Sequence, residues 1–143
     1  MLGNMLLGLA TMVLCLMLQV TWFVMMIRYY ARHRHQIGDG SYWSSFVLVS
    51  MVMMILVAGI MAQIAIWAGL FQVLGEFDAF SVAFYHSAVN FASLGYGDIV
   101  MSEQRRLLGA LEAINGMLMI GISIAALMVP FKKALQHKGI DKI

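Results

Sequence analysis

An all-α membrane protein is the fold class this sequence predicts, with three spanning helices and a short re-entrant segment between the second and third. Three observations carry that expectation. Of the 143 residues, 62% are hydrophobic and 11% charged, less than half the roughly 25% charged residues of a soluble domain. The charges lie between long apolar runs, with one exception, rather than inside them. One further apolar run is too short to cross a bilayer and leads directly into a glycine-rich string.

The first run, Leu2 to Ile27, carries no charge and exceeds the about 20 residues a span needs. It lacks a basic n-region and a small-x-small cleavage site, and it is too long for a signal-peptide core, so it reads as a retained helix. Leu14 before Cys15 also departs from a lipoprotein-type cleavage box. Cys15, the single cysteine, reads as a small buried apolar side chain. The second span lies within Ser41 to Gly75, again without charge. Phe80 to Phe91 is the short segment. The third span, Leu107 to Phe131, contains one charge, Glu112. A single proline and fourteen methionines suit helices packed in lipid better than a β-rich domain.

Charge placement predicts the orientation. The loop after the first span holds Arg28, Arg32 and Arg34 against Asp39, and the tail holds Lys132, Lys133, Lys138 and Lys142 against Asp141. The segment between the second and third spans holds Glu76, Asp78, Asp98 and Glu103 against Arg105 and Arg106. Basic residues concentrate on the cytoplasmic side. That puts the loop and the C-terminus inside, and the N-terminus and the acidic segment outside. The net charge of +2 says less than this asymmetry does.

From Phe80 the chain reads FSVAFYHSAVNFASLGYGDIV. Non-helical backbone inside a membrane is tolerated only where it lines a cavity or is buried in protein. The string Ser93-Leu94-Gly95-Tyr96-Gly97-Asp98 resembles the selectivity-filter signature of potassium channels, with Ser93 where Thr is usual and Leu94 where Val is usual. The resemblance covers roughly residues 44–131. It implies a tetrameric pore in which each chain gives an outer helix, a pore helix, a filter and an inner helix. On that reading residues 1–30 are an additional transmembrane helix, 31–43 a cytoplasmic basic loop, 44–131 the pore domain and 132–143 a cytoplasmic basic tail.

The resemblance also implies roles. Carbonyls of Ser93, Leu94, Gly95 and Tyr96, with Gly97 completing the filter, would replace the hydration shell of K⁺, and the Ser93 hydroxyl would supply the innermost site. Serine keeps the oxygen but lacks the β-branch that stiffens χ1. A ring of Asp98 carboxylates at the outer mouth would raise the local cation concentration. The C-terminal end of the pore helix, with about half a negative elementary charge, would favour a dehydrated cation. Tyr85 and His86 stand where family members have aromatic residues that hydrogen-bond the filter tyrosine and the following aspartate, here Tyr96 and Asp98. His86 is either a pH-sensitive brace or a neutral hydrogen-bonding ring.

Gly116 stands where the family has a glycine that lets the inner helix bend; packing against a neighbour is the other reading. Steps of three and four give Met117, Ile120, Ile124 and Met128 as one stripe, a candidate apolar cavity wall. A carboxylate at the bilayer centre costs about 3 kcal/mol on insertion scales. Glu112 is therefore expected to face protein, bracing the filter from behind while protonated or hydrogen-bonded to Asn90 or Ser87.

The function expected is a potassium-selective channel subunit, working as a homotetramer in the lipid bilayer of a cell (inner) membrane. It would pass monovalent cations passively, with no cofactor beyond the transported K⁺ and no nucleic-acid partner. Two alternatives stay open: a weakly selective cation channel, since Ala92, Ser93 and Leu94 depart from the usual residues, and a non-conducting subunit binding haem through His86 and the loop histidines. His33 and His35 lie on the opposite side from His86, which argues against haem ligation. The string RYYARHRH at 28–35 reads as topogenic charge or as an anionic-lipid site. No arginine lies within the first span, so it carries no voltage-sensing charge. No paired catalytic carboxylates, nucleophile–base pair or phosphate-cradling loop is present, which excludes the common enzyme classes.

Overall fold

A computed structural model of the chain describes residues 2–33 and 42–136. Four helices follow in order: α1 (Leu2–His33), α2 (Tyr42–Val73), α3 (Phe80–Phe91) and α4 (Arg106–Gln136), with no strand among the described residues. Helices α1, α2 and α4 are long and apolar enough to cross a membrane. They match the three expected spans, and α3 matches the short segment residue for residue.

The helices run past the expected borders. α1 continues through Arg28 and Arg32 to His33, α2 begins at Tyr42, and α4 passes position 130 and ends at Gln136. Parts of the expected basic loop and basic tail are therefore helical. Arginine, lysine and alanine are good helix formers, and nothing in those stretches offers the backbone a better partner. Arg34, His35, Asp39, Lys138, Asp141 and Lys142 lie outside the described residues.

α1 packs against both α2 and α4, and α3 is held between α2 and α4. One core joins all four helices through Cys15, Ile64, Trp67, Phe71, Phe91, Leu108 and Met119. A second joins the three long helices through Met26, Tyr30, Leu48, Val52, Leu56 and Ala126. Lipid tails are as apolar as leucine, so close packing and hydrogen bonds hold such helices together. Gly8 of α1 lies directly against Leu111 of α4, and Gly59 of α2 against the Trp22 ring of α1.

A polar ladder ties the same three helices. Gln63 Nε2 donates to Gln19 Oε1 at 2.6 Å, Gln19 Nε2 donates to Ser123 Oγ at 2.9 Å, and Ser123 Oγ donates to the Met119 carbonyl at 2.8 Å. At one end of the bundle Asn4 Nδ2 donates to the Gln104 carbonyl at 2.6 Å. The start of α1 therefore sits at the end of the molecule that carries the 92–105 segment.

Candidate functional site

The Ser93–Asp98 string begins as the closure of α3. Leu94 N–H bonds the Val89 carbonyl at 2.9 Å and Ser93 N–H the Asn90 carbonyl at 2.8 Å, the paired bonds of a Schellman cap. The residue at the turn of such a cap takes a left-handed conformation, usually as glycine. Here it is Ser93, with φ 57°. A β-branched residue there is a genuine outlier, so serine eases a conformation that threonine would strain. Gly95 (φ 59°) and Gly97 (φ 73°) follow, with Leu94 and Tyr96 on the ordinary side. The sign of φ thus alternates along residues 93–97.

Residues 92–98 are all exposed in the single chain, Leu94 at 55% and Tyr96 at 65%. Among the described residues, the backbone groups of Gly95, Tyr96 and Gly97 make no hydrogen bond. A cleft of about 520 Å³ opens between this loop and α4, bordered by His86, Asn90, Gly95, Gly97 and Arg106.

The far end of the loop is held from α3. Tyr85 O–H donates to Asp98 Oδ2 at 2.7 Å, and Ile99 N–H donates to Asp98 Oδ1 at 3.0 Å. The Tyr85 bond holds the Asp98 carboxyl below its usual range, and the same bond raises the Tyr85 phenol. His86 Nδ1 lies 3.0 Å from the Ile99 carbonyl, and Asn90 Nδ2 lies 2.9 Å from His86 Nε2. A carbonyl only accepts and an amide NH₂ only donates. The ring is therefore neutral, protonated on Nδ1. Burial lowers the imidazole, outweighing the Ile99 carbonyl, Asp98 and Glu76, which pull the other way. The Phe77 and Phe71 rings flank it, with centroids at 4.9 and 5.7 Å.

The expectation for this pair is met in part. Tyr85 bonds Asp98, whereas within the single chain neither Tyr85 nor His86 bonds Tyr96. The register of α3 sets these side chains level with residues 98 and 99, past Tyr96, whose ring points outward.

A second brace escaped the sequence reading. Glu76 accepts from Ser102 N–H and from Ser102 Oγ–H, each at 2.8 Å, and pairs with Arg105 at 3.2 Å. Arg105 also donates to the Leu74 carbonyl. Burial pushes the Glu76 carboxyl up, but the two Ser102 bonds and Arg105 outweigh it and hold it below its usual range. The glycine at position 75, with φ 73°, closes α2 in the same type of cap as Ser93 closes α3, and that turn delivers Glu76 to Ser102. Glycine-then-glutamate after an apolar run was the available signal.

Behind α3 the α4 face is small and polar. Gly109 faces Asn90, whose Nδ2 would lie 3.1 Å from a Cβ there, and a Cβ at Gly116 would overlap the Phe91 carbonyl. Close approach accounts for the glycine at 116; the helix is continuous through it. Between them, Glu112 is wholly buried, beside Ser87 and Asn90 as expected, but short of hydrogen-bond geometry with either. Ser87 Oγ and both amide atoms of Asn115 are likewise buried without partners. On the opposite side of α4, Met117, Ile124 and Met128 are exposed, while Ile120 turns partly into the core. The expected stripe is therefore open to its surroundings at three of its four positions.

Three spanning helices with a half-length helix and an unbonded glycine loop between the last two define a membrane protein with a re-entrant segment. The family model described as "Ion channel" matches residues 51–133, more than half of the chain. The protein belongs to that ion-channel family. No curated protein and no solved structure matches the chain.

Proposed function

We propose that the protein is the pore-forming subunit of a potassium-selective channel, assembled as a homotetramer around the Ser93–Gly97 loop. The observation that carries this reading is the alternation of φ along that loop, together with its unbonded, exposed backbone. Alternating left- and right-handed residues gather N–H groups on one side of a chain and carbonyls on the other. In a membrane such backbone must be covered by protein or line water. Four copies around an axis meet both conditions: carbonyls of Ser93, Leu94, Gly95 and Tyr96 face the axis and bind dehydrated K⁺. The cleft between loop and α4 leaves room for a neighbouring copy. Transport is passive, down the ion gradient.

The remaining roles follow from this arrangement. Asp98, exposed at the loop's far end, forms a carboxylate ring that concentrates cations. Met117, Ile124 and Met128 line the cavity beneath, and the N-terminus and loop face outward across a cell (inner) membrane. Cation flux into liposomes tests the reading directly, with K⁺ compared against Na⁺ and with Gly95→Ala as control. Alanine at φ 59° is strained by about 1–2 kcal/mol. Flux at least about tenfold greater for K⁺, abolished by the substitution, is expected. Equal K⁺ and Na⁺ flux would replace the reading with a weakly selective pore, and none at all would favour the non-conducting subunit.

A further inference from the structure

Two arginines stand side by side where α4 begins, and the chain uses only one of them. Arg105 is partly buried and committed, to Glu76 at 3.2 Å and to the Leu74 carbonyl. Arg106 is exposed, and among the described residues it pairs with no acid. It borders the cleft beside Gly95 and Gly97, and the first turn of α4 holds no acidic residue to balance it. The acids at this end of the molecule divide in the same way. Glu76 is filled by Ser102 and Arg105, and Asp98 by Tyr85 and the Ile99 N–H. Glu103 borders the same cleft as Arg106 without pairing with it. Asp78, in the turn before α3, is exposed, outside the walls of the cleft and bonded to nothing among the described residues.

The chain therefore carries one free acid and one free base at the level of the loop, on different faces. A closed ring needs that arrangement. Its contacts are heterologous, so one face of each copy meets a different face of the next. The apolar surroundings of the two charges fit the same requirement. Phe80 and Val82, which follow Asp78, are 45% and 37% exposed, and Val100 on the cleft that Arg106 borders is 70% exposed. Water satisfies a lone surface charge, but an arginine at the edge of a cleft that a neighbouring copy fills loses that water and needs an anion in its place.

We propose that Asp78 of one copy pairs with Arg106 of the next, which seats the first turn of α3 at the edge of the cleft beside the neighbouring loop. This rests on the tetramer of the channel reading and adds to it the residue that each copy contributes to the next. Complementary charges across a contact fix register and reject wrong partners more than they add affinity. Four such pairs set the register of the ring at the level of the loop, so that the four Ser93–Gly97 segments face one axis.

Two measurements on the purified full chain in detergent test it. In a Cys15→Ala background, Asp78→Cys and Arg106→Cys together should be joined by a short bismaleimide into a ladder that ends at four chains on a denaturing gel. Neither cysteine alone should give that ladder. In light scattering, the concentration at which half of the tetramer dissociates should rise about tenfold in Arg106→Asp, because like charges then face each other across the contact. Asp78→Arg combined with Arg106→Asp should recover most of that loss, and Glu103→Gln should cause none. A tetramer indifferent to the single reversal, a double reversal no better than the single one, or a cross-link closed within one chain would each overturn the pair and leave the channel reading standing. Glu103→Gln as damaging as Arg106→Asp would assign the arginine to Glu103 and overturn it too. A wild type that never forms a tetramer overturns pair and channel together, whereas a cross-linked tetramer that passes no ions keeps the pair and loses the channel.

Discussion

Two glutamates lie at the two ends of the structure that carries the loop, and the chain treats them in opposite ways. Glu76, at the end of α2, is surrounded by donors: the Ser102 N–H, the Ser102 hydroxyl and Arg105. Glu112, on α4, is surrounded by neutral groups and has no partner within hydrogen-bond geometry. The first uses its charge to hold three donors; the second has nothing beside it to balance a charge. Position explains the difference. At the end of a span water and arginine are within reach, whereas behind α3 the neighbours are neutral: Ser87, Asn90 and the close-packed glycines of α4. The loop is thus clamped outside by an ion and inside by close packing.

The strongest way to break the inner clamp is at Gly116. A Cβ there overlaps backbone, not a flexible side-chain tip, so Gly116→Val must push α3 away from α4. Overpacking of this kind costs about 3 kcal/mol, enough to remove most folded protein from a thermal-unfolding assay in detergent. Gly121, on the same helix with nothing near it, is the contrast: Gly121→Ala should change stability by less than about 0.5 kcal/mol. Equal effects at the two sites would mean that 116 is needed for bending and not for contact.

The outer clamp breaks more gently. Glu76→Gln keeps the shape but loses the charge-assisted bonds, a loss of about 2 kcal/mol for a nearly buried group. The pH dependence has a definite sign. Because the folded carboxyl sits below its ordinary range, its stabilisation is complete at neutral pH and is lost as pH falls through that range toward the lowered value. Unfolding temperature should therefore drop in acid for the wild type and much less for Glu76→Gln.

Much of this contrast was legible in the residues, and the parts that were not share a cause. Long apolar runs, two without charge and one with Glu112 alone, exposed the three spans, and the failure of Phe80–Phe91 to reach spanning length exposed α3. A lone charge in a span pointed to Glu112 as facing protein, and it is wholly buried. Glu76 and Ser102, 26 residues apart, carry no local pattern that joins them, and neither do Gln19, Gln63 and Ser123. The left-handed turn at Ser93 was hidden as well, because helix closure and not residue type imposes it. Gly116 was open between bending and packing until the Phe91 carbonyl was seen against it.

His86 stands where the two clamps meet, and pH separates its roles. The ring is neutral in the fold and resists protonation because it is buried. The unfolded chain takes up the proton first, so the fold loses stability as pH drops from the ordinary imidazole value toward the lowered one. Protonation also places a donor at Nε2 against the donor of Asn90. Flux through the wild type should fall over that acid interval, and His86→Phe should flatten the curve. A curve unchanged by His86→Phe would reduce the ring to packing between Phe71 and Phe77.

The smallest expected effect separates polar bonding from charge altogether. The Gln19–Gln63–Ser123 ladder is as buried as Glu112, yet Gln19 Oε1 and Nε2 and Ser123 Oγ all have partners. Gln19→Leu removes two bonds and strips Gln63, whose Oε1 has no partner in the wild type, of its Nε2 bond as well. Bonds between membrane helices average about 0.6 kcal/mol each, so the loss should be about 1 kcal/mol in reversible unfolding. The variant should leave the K⁺/Na⁺ flux ratio alone, because the ladder ties α1 to α4 without touching α3. A change in that ratio would mean that α1 belongs to the machinery that shapes the loop, and that the inner clamp extends through all four helices.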